Sequence, residues 1–336
     1  MRRNRTAPRG RVERLELDSE ALRGNLQGDP TRRELPVYLP AGRSDGGGLP
    51  LLVDLVGFTG SGMSHTNWKN FGENLPERLD RLIGEGQMGP VVVAFPDCFT
   101  RLGGNQYINS TALGRYEDYL LREVVPLVEQ TFRCGGEGKR AVFGKSSGGY
   151  GAIVHAMRHG DFWSAAACHS GDMAFDLVYG CDLPGTLNDL AKHERSIPAF
   201  IEHFEKSQKP SEREVHTLMF LAMAATYDPD PTQPFGIRLP CDPETAELIP
   251  ERWSNWTAHD PLTMVSNSAS SLRRLKGLFI DCGDRDQYHL HYGARRLHRA
   301  LTRLEIPHVY EEFPDDHSNV DYRMDRSLPY LEQVLR

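Results

Sequence analysis

The sequence predicts an α/β protein with a mostly parallel central sheet, helices on both of its faces and a helical insertion in the second half. Three observations carry this expectation. Residues 51–56 (LLVDLV), 91–95 (VVVAF) and 278–282 (LFIDC) are nearly continuous apolar runs. Continuous rather than alternating runs suit strands buried on both faces. Segments with helical spacing lie between strand-like runs, which is the rhythm of βαβ units. From about Asp172 to Pro261 that rhythm stops, and no strong buried strand is legible.

In chain order, residues 12–17 alternate apolar and polar side chains, and residues 35–39 (LPVYL) form a β-rich run ended by Pro40 and Gly42. Gly46, Gly47 and Gly48 make a turn before the first continuous run. Tyr116, Leu120, Val124 and Leu127 recur at helical spacing, with Pro126 expected to kink the helix. Residues 141–143 read as a short strand followed at once by a helix carrying Ile153, Ala156 and Met157, and residues 164–168 as the next strand. Inside the insertion, Ser211 and Glu214 fit a capping box ahead of an apolar face of Val215, Leu218, Met219, Ala222 and Met223. Residues 229–240 are a proline-rich loop. A helix over residues 292–304 separates the last two strands, residues 278–282 and 309–313. The expected organisation is a basic flexible tail (residues 1–10), a core (11–171 and 262–336) and a helical cap (172–261).

Composition narrows the function. The 336 residues are 39% hydrophobic and 25% charged, the mixture of a globular chain with a sizeable core. Lys plus Arg is 39 against 46 for Asp plus Glu, a net charge of −7. That balance argues against nucleic acid as a partner, although the arginines of MRRNRTAPRGRVER form a local basic run. This run lacks an apolar core, so it does not read as a secretory signal. No uncharged apolar stretch reaches spanning length, so no membrane association is expected. The six cysteines are scattered, with no C-x-x-C pair. A cytoplasmic location and buried, unpaired cysteines follow as expectations, with a Cys181–Cys241 pair only if the protein were exported.

The chemistry concentrates in Gly144-Lys145-Ser146-Ser147-Gly148-Gly149, a G-x-S-x-G motif between a strand and a helix. A serine on so sharp a turn needs small residues two before and two after it, and Ser146 has Gly144 and Gly148 there. Ser147 has Lys145 on one side and is the weaker candidate. A serine nucleophile needs a base, and the base an orienting acid, in the chain order Ser, Asp or Glu, His. The loops after the last two strands supply them: Asp284 and Asp286 in one, His317 in the other. His317 is the expected base and Asp286 the preferred acid, because it lies deeper in its loop than Asp284. Asp172, after the preceding strand, reads as a hinge or pocket residue. His308 precedes its strand and belongs at the opposite edge. His289 and His291, two apart, would not share a helical face for a metal. The backbone N–H groups of Ser147 and Phe58 are the expected oxyanion donors, Phe58 standing in the glycine-rich run after residues 51–56. Trp253 and Trp256, at the end of the insertion, are candidate pocket residues for a bulky acyl group.

These motifs together resemble an esterase family of the α/β-hydrolase fold that includes esterase D, feruloyl and acetyl xylan esterases, enterochelin esterase and the antigen 85 mycolyltransferases. The resemblance runs from about Gly10 to Arg336 outside the insertion. It rests on VYLP at residues 37–40, Gly57-Phe58, FPD at 95–97, Asn109-Ser110, GKSSGGYGA at 144–152, DCGDRDQY at 281–288 and the His317 loop. It implies a triad of Ser146, Asp286 and His317, oxyanion donors at Phe58 and Ser147, and no cofactor or metal. Val56 stands where a histidine often precedes the glycine, and the 172–261 segment is longer than compact members need. The expected activity is hydrolysis of a carboxylic ester through an acyl-enzyme. Acyl transfer or thioester cleavage on the same triad is the alternative, and a non-catalytic binding module a more distant one. The partner is then an ester, free or polymer-linked; the sequence leaves its identity and the oligomeric state open.

Overall fold

The computed structural model describes residues 8–43 and 45–336. Most of the basic run at the N-terminus therefore lies outside the described residues. Its inner end does not: the Gly10 N–H donates to Asp80 Oδ1 at 2.7 Å. The strands are β1 (Arg11–Asp18), β2 (Arg32–Leu39), β3 (Leu51–Leu55), β4 (Val92–Ala94), β5 (Asn109–Ser110), β6 (Gly114–Arg115), β7 (Arg140–Lys145), β8 (Ala165–His169), β9 (Gly277–Gly283) and β10 (Val309–Phe313).

Eight of them form one sheet in the order β1-β2-β4-β3-β7-β8-β9-β10, and β5 pairs with β6 alone. The register is parallel from β4 through β10 and antiparallel only at β1–β2 and β2–β4. The burial pattern explains the composition. Every residue of β3, β4, β8 and β9 is buried, as continuous apolar runs require, whereas the edge strand β1 alternates.

Alternate residues of the inner strands of the main sheet feed two separate cores. Leu51, Val53 and Leu55 join Val142 and the helix Ser147–Arg158 on one face. Leu52, Ala141 and Phe143 join the helices Leu75–Gly84 and Met324–Leu335 on the other. Apolar periodicity in the sequence assigned neither of those two helices. The first is set by a capping box between Asn74 and Glu77 with a proline in its first turn. The second carries Pro329 in its interior, yet Met324, Leu328, Leu331 and Leu335 bury one helical stripe on the sheet. Packing outweighs the lost backbone hydrogen bond.

Pro126 acts differently from the expected kink. It starts the helix Val125–Phe132, and the preceding turn, Tyr119–Val124, widens to a π-helix. The missing proline N–H is absorbed by that register shift. The six cysteines are all unpaired; Cys241 is buried and Cys181 exposed, so the two do not form a disulfide. Among the described residues no helix is long and apolar enough to cross a membrane.

Residues 172–261 contain no strand and hold the helices Phe175–Ala191, Ile197–Lys206, Glu212–Tyr227 and Pro250–Thr257. The Ser211–Glu214 capping box forms as the sequence predicts. The apolar face behind it has two uses. Leu218, Ala222 and Met223 are buried in the core, while Val215 and Met219 reach a cavity above the carboxyl ends of the strands.

Candidate active site

β7 ends in Lys145 and the helix begins at Ser147, so Ser146 must reverse the chain in one residue. It does so at φ 57° and ψ −124°, a conformation that costs an L-residue roughly 1–3 kcal/mol. The turn is held from both sides. The Ser146 N–H donates to the His169 carbonyl at the end of β8 (3.0 Å), and the Ser146 carbonyl accepts from the Tyr150 N–H (2.9 Å). A side chain on Gly144 or Gly148 would collide with the Leu55 carbonyl oxygen, and one on Gly149 would come within 2.6 Å of the His169 oxygen. The glycines of the motif are thus a packing requirement of the β3–β7–β8 junction. Gly57 differs: a Cβ there would meet Ser146 Cβ at 3.5 Å, ordinary contact.

After β9, Asp286 is buried, and its Oδ2 lies 2.7 Å from His317 Nδ1. Its Oδ1 accepts from the Tyr288 N–H (2.9 Å), and Gln287 Oε1 accepts from the His317 N–H (2.9 Å). The Tyr288 ring stands edge-on to the imidazole at 4.9 Å. Asp284 is exposed beside Arg285 and does not meet His317. His308 lies at the other end of β10 and bonds His298. Among the described residues no three His, Cys, Asp or Glu side chains form a metal-holding group, and His289 and His291 are no exception.

Ser146 and His317 line one cavity of about 360 Å³ together with Phe58, Lys145 and Asp172. No direct hydrogen bond joins Ser146 to His317; such bonds commonly tighten only around a bound substrate. The N–H groups of Phe58 and Ser147 have no protein acceptor among the described residues. Phe58 is clamped from outside by Gly103 and Gly104, where a Cβ would strike the Phe58 ring or backbone.

Asp172 lines the cavity as the sequence suggested. Its Oδ2 accepts from Gln106 Nε2 (3.2 Å) and the Tyr179 hydroxyl (3.1 Å), and Gln106 also donates to Ser147 Oγ (2.9 Å). Burial raises its carboxyl pKa, opposed by the Gln106 hydrogen bond. Trp253 and Trp256 are not among the cavity residues. Trp256 is fully buried against Tyr179, Phe220 and Tyr227, with ring centroids 5.0–5.7 Å away, and Trp253 packs on it at 5.8 Å. They close an aromatic core among three insertion helices, Phe175–Ala191, Glu212–Tyr227 and Pro250–Thr257; the expectation that they line the pocket is corrected.

The wall also holds residues to which the sequence reading assigned no role: His65, Lys145, Asp182, His216, Tyr288 and Asp321. His65 Nδ1 meets the buried Asp54 at 2.5 Å. Burial opposes protonation of His65, but the Asp54 charge and hydrogen bond outweigh it and raise the pKa. A second Ser-His-Asp row, Ser327, His169 and Asp281, is buried on the far side of β8 and does not line the cavity.

A family model described as "Putative esterase" matches residues 30–325. The chain belongs to this esterase family. The esterase is similar in structure to a ferulic acid esterase at TM-score 0.63, with 17% identity over 98% of this chain and 99% of the other. It is likewise similar to fluorophosphonate-binding serine hydrolase F of Staphylococcus aureus (TM-score 0.60, 18% identity, 98% and 99% covered). An S-formylglutathione hydrolase from Agrobacterium tumefaciens matches at TM-score 0.60 with 16% identity, covering 98% of each chain. At such identities the likeness is one of fold. No curated protein matches the sequence significantly.

Proposed function

We propose that this esterase cleaves its carboxylic ester through an acyl-enzyme on Ser146. The observation that carries the reading is the strained turn at Ser146 opening into a cavity also lined by His317, which Asp286 holds from behind. Ser146 Oγ attacks the carbonyl carbon while His317 Nε2 takes its proton. Asp286 holds the imidazole by Nδ1 and stabilises the imidazolium. The oxyanion is received by the N–H groups of Phe58 and Ser147, the latter at a helix N-terminus that favours negative charge. His317 then protonates the leaving alcohol, and water repeats the sequence to release the acid. Asp172, Val178, Val215 and Met219 contribute the insertion's side of the cavity, so residues 172–261 act as its cap.

The test is Ser146→Ala. It removes the attacking oxygen without disturbing the turn, and kcat for p-nitrophenyl acetate falls by about 10³-fold or more. A fluorophosphonate probe labels the wild type at Ser146 and not the variant. Hydrolysis at the wild-type rate by the alanine variant overturns the reading.

A further inference from the structure

Among the described residues, the charged side chains of the cavity wall are matched inside the protein, with one exception. Asp182 takes Arg213 (3.2 Å) and His216 (3.4 Å), and Asp321 takes Lys69 (2.6 Å). His65 is held by Asp54, His317 by Asp286, and Asp172 by Gln106 and Tyr179. Lys145, the residue before the elbow serine, lines the same wall half-buried, and among the described residues its ammonium has no hydrogen-bond or ion-pair partner. Asp321, Asp286, Asp316 and Lys69 act on it only through space. An ammonium withdrawn from water without an acceptor is unfavourable, and burial lowers its pKa, with Asp321 and Asp286 opposing. His65, on the same wall, has its Nδ1 engaged, and its Nε2 has no partner among the described residues.

We infer that Lys145, with His65 on the same cavity wall, is an anion receptor, and that the substrate is an ester bearing a carboxylate or similar acidic group near the scissile bond. This rests on the proposed use of the cavity for ester cleavage. The acidic group belongs either to the acyl part or to the leaving alcohol, and the matched charges elsewhere leave Lys145 as its counter-ion.

The test compares kcat/KM, corrected for spontaneous hydrolysis, within two matched pairs at pH 7.5. The acyl arm uses p-nitrophenyl hemisuccinate against p-nitrophenyl methyl succinate. The alcohol arm uses 3-acetoxybenzoate against its methyl ester. The acidic member is preferred about ten-fold or more in one arm, as a charge-assisted contact requires, and salt weakens the preference. Lys145→Met abolishes that ratio, and Lys145→Arg retains most of it. Equal use of both members in both arms of the wild type overturns the inference, and needs no variant; so does a preference that Lys145→Met keeps. Cleavage of the neutral esters without preference leaves the hydrolase reading standing. Cleavage of none of the four, or cleavage by Ser146→Ala, overturns both.

Discussion

Ser146 sits at φ 57° because its neighbours leave no alternative, with its N–H anchored on His169 and glycines filling the places where a Cβ would strike Leu55. The two aspartates of the loop after β9 show how a shift of two positions divides roles. Asp286 is buried and bonded to His317; Asp284 faces solvent beside Arg285. Asp286→Asn therefore lowers kcat by about 10²- to 10⁴-fold through loss of the imidazole's orientation and charge partner. Asp284→Asn leaves kcat near the wild-type value. Steady-state kinetics of the two variants on one ester checks the pair, and equal losses would contradict the assignment. The preference for the deeper loop position was legible in the sequence. That Gln106 ties Asp172 to Ser147, and that His65 joins the cavity, was not, because no spacing links them to the motif.

At the scale of elements, the insertion is where sequence reading and structure part. Periodicity found its apolar helix face, but only packing divides that face between core and cavity. Trp256 illustrates the consequence. It meets Tyr179, Phe220 and Tyr227 with no surface exposed, and its indole N–H has no acceptor among the described residues. Trp256→Ala costs about 3–5 kcal/mol of stability by opening a cavity in that cluster, while KM for small esters changes little. Trp256→Phe costs less, since no hydrogen bond is lost. Denaturant unfolding with parallel kinetics measures both, and a raised KM at unchanged stability would restore the pocket role.

Across the whole molecule, the buried groups set a pH limit. His155 is fully buried; its Nε2–H donates to the Tyr107 carbonyl and its Nδ1 accepts from Trp163. Tyr107 in turn donates to the Val56 carbonyl beside the Phe58 turn, so this neutral imidazole supports the site from beneath. Burial lowers its pKa to about 4 from an ordinary 6.5. The unfolded chain then binds more protons between those values, so stability is full above pH 6.5 and falls towards pH 4, by on the order of 3 kcal/mol from this group. Glu117 extends the loss to lower pH. Burial pulls its carboxyl up, but His159 and Arg158 outweigh that and bring it to about 2, so its contribution fades as pH falls below 4.5. Thermal unfolding from pH 7 to 4 follows this slope, and His155→Gln flattens it; an unchanged slope in the variant would exclude His155 as its source.

By itself the sequence determined the parallel sheet, the serine turn and the loops carrying Asp286 and His317, because continuous burial and steric exclusion leave local signatures. Tertiary structure alone decided which side chains of the insertion face the cavity, and that Lys145 stands there unmatched among the described residues. Those outcomes depend on what lies opposite each residue, and contacts between distant segments leave no period in the chain.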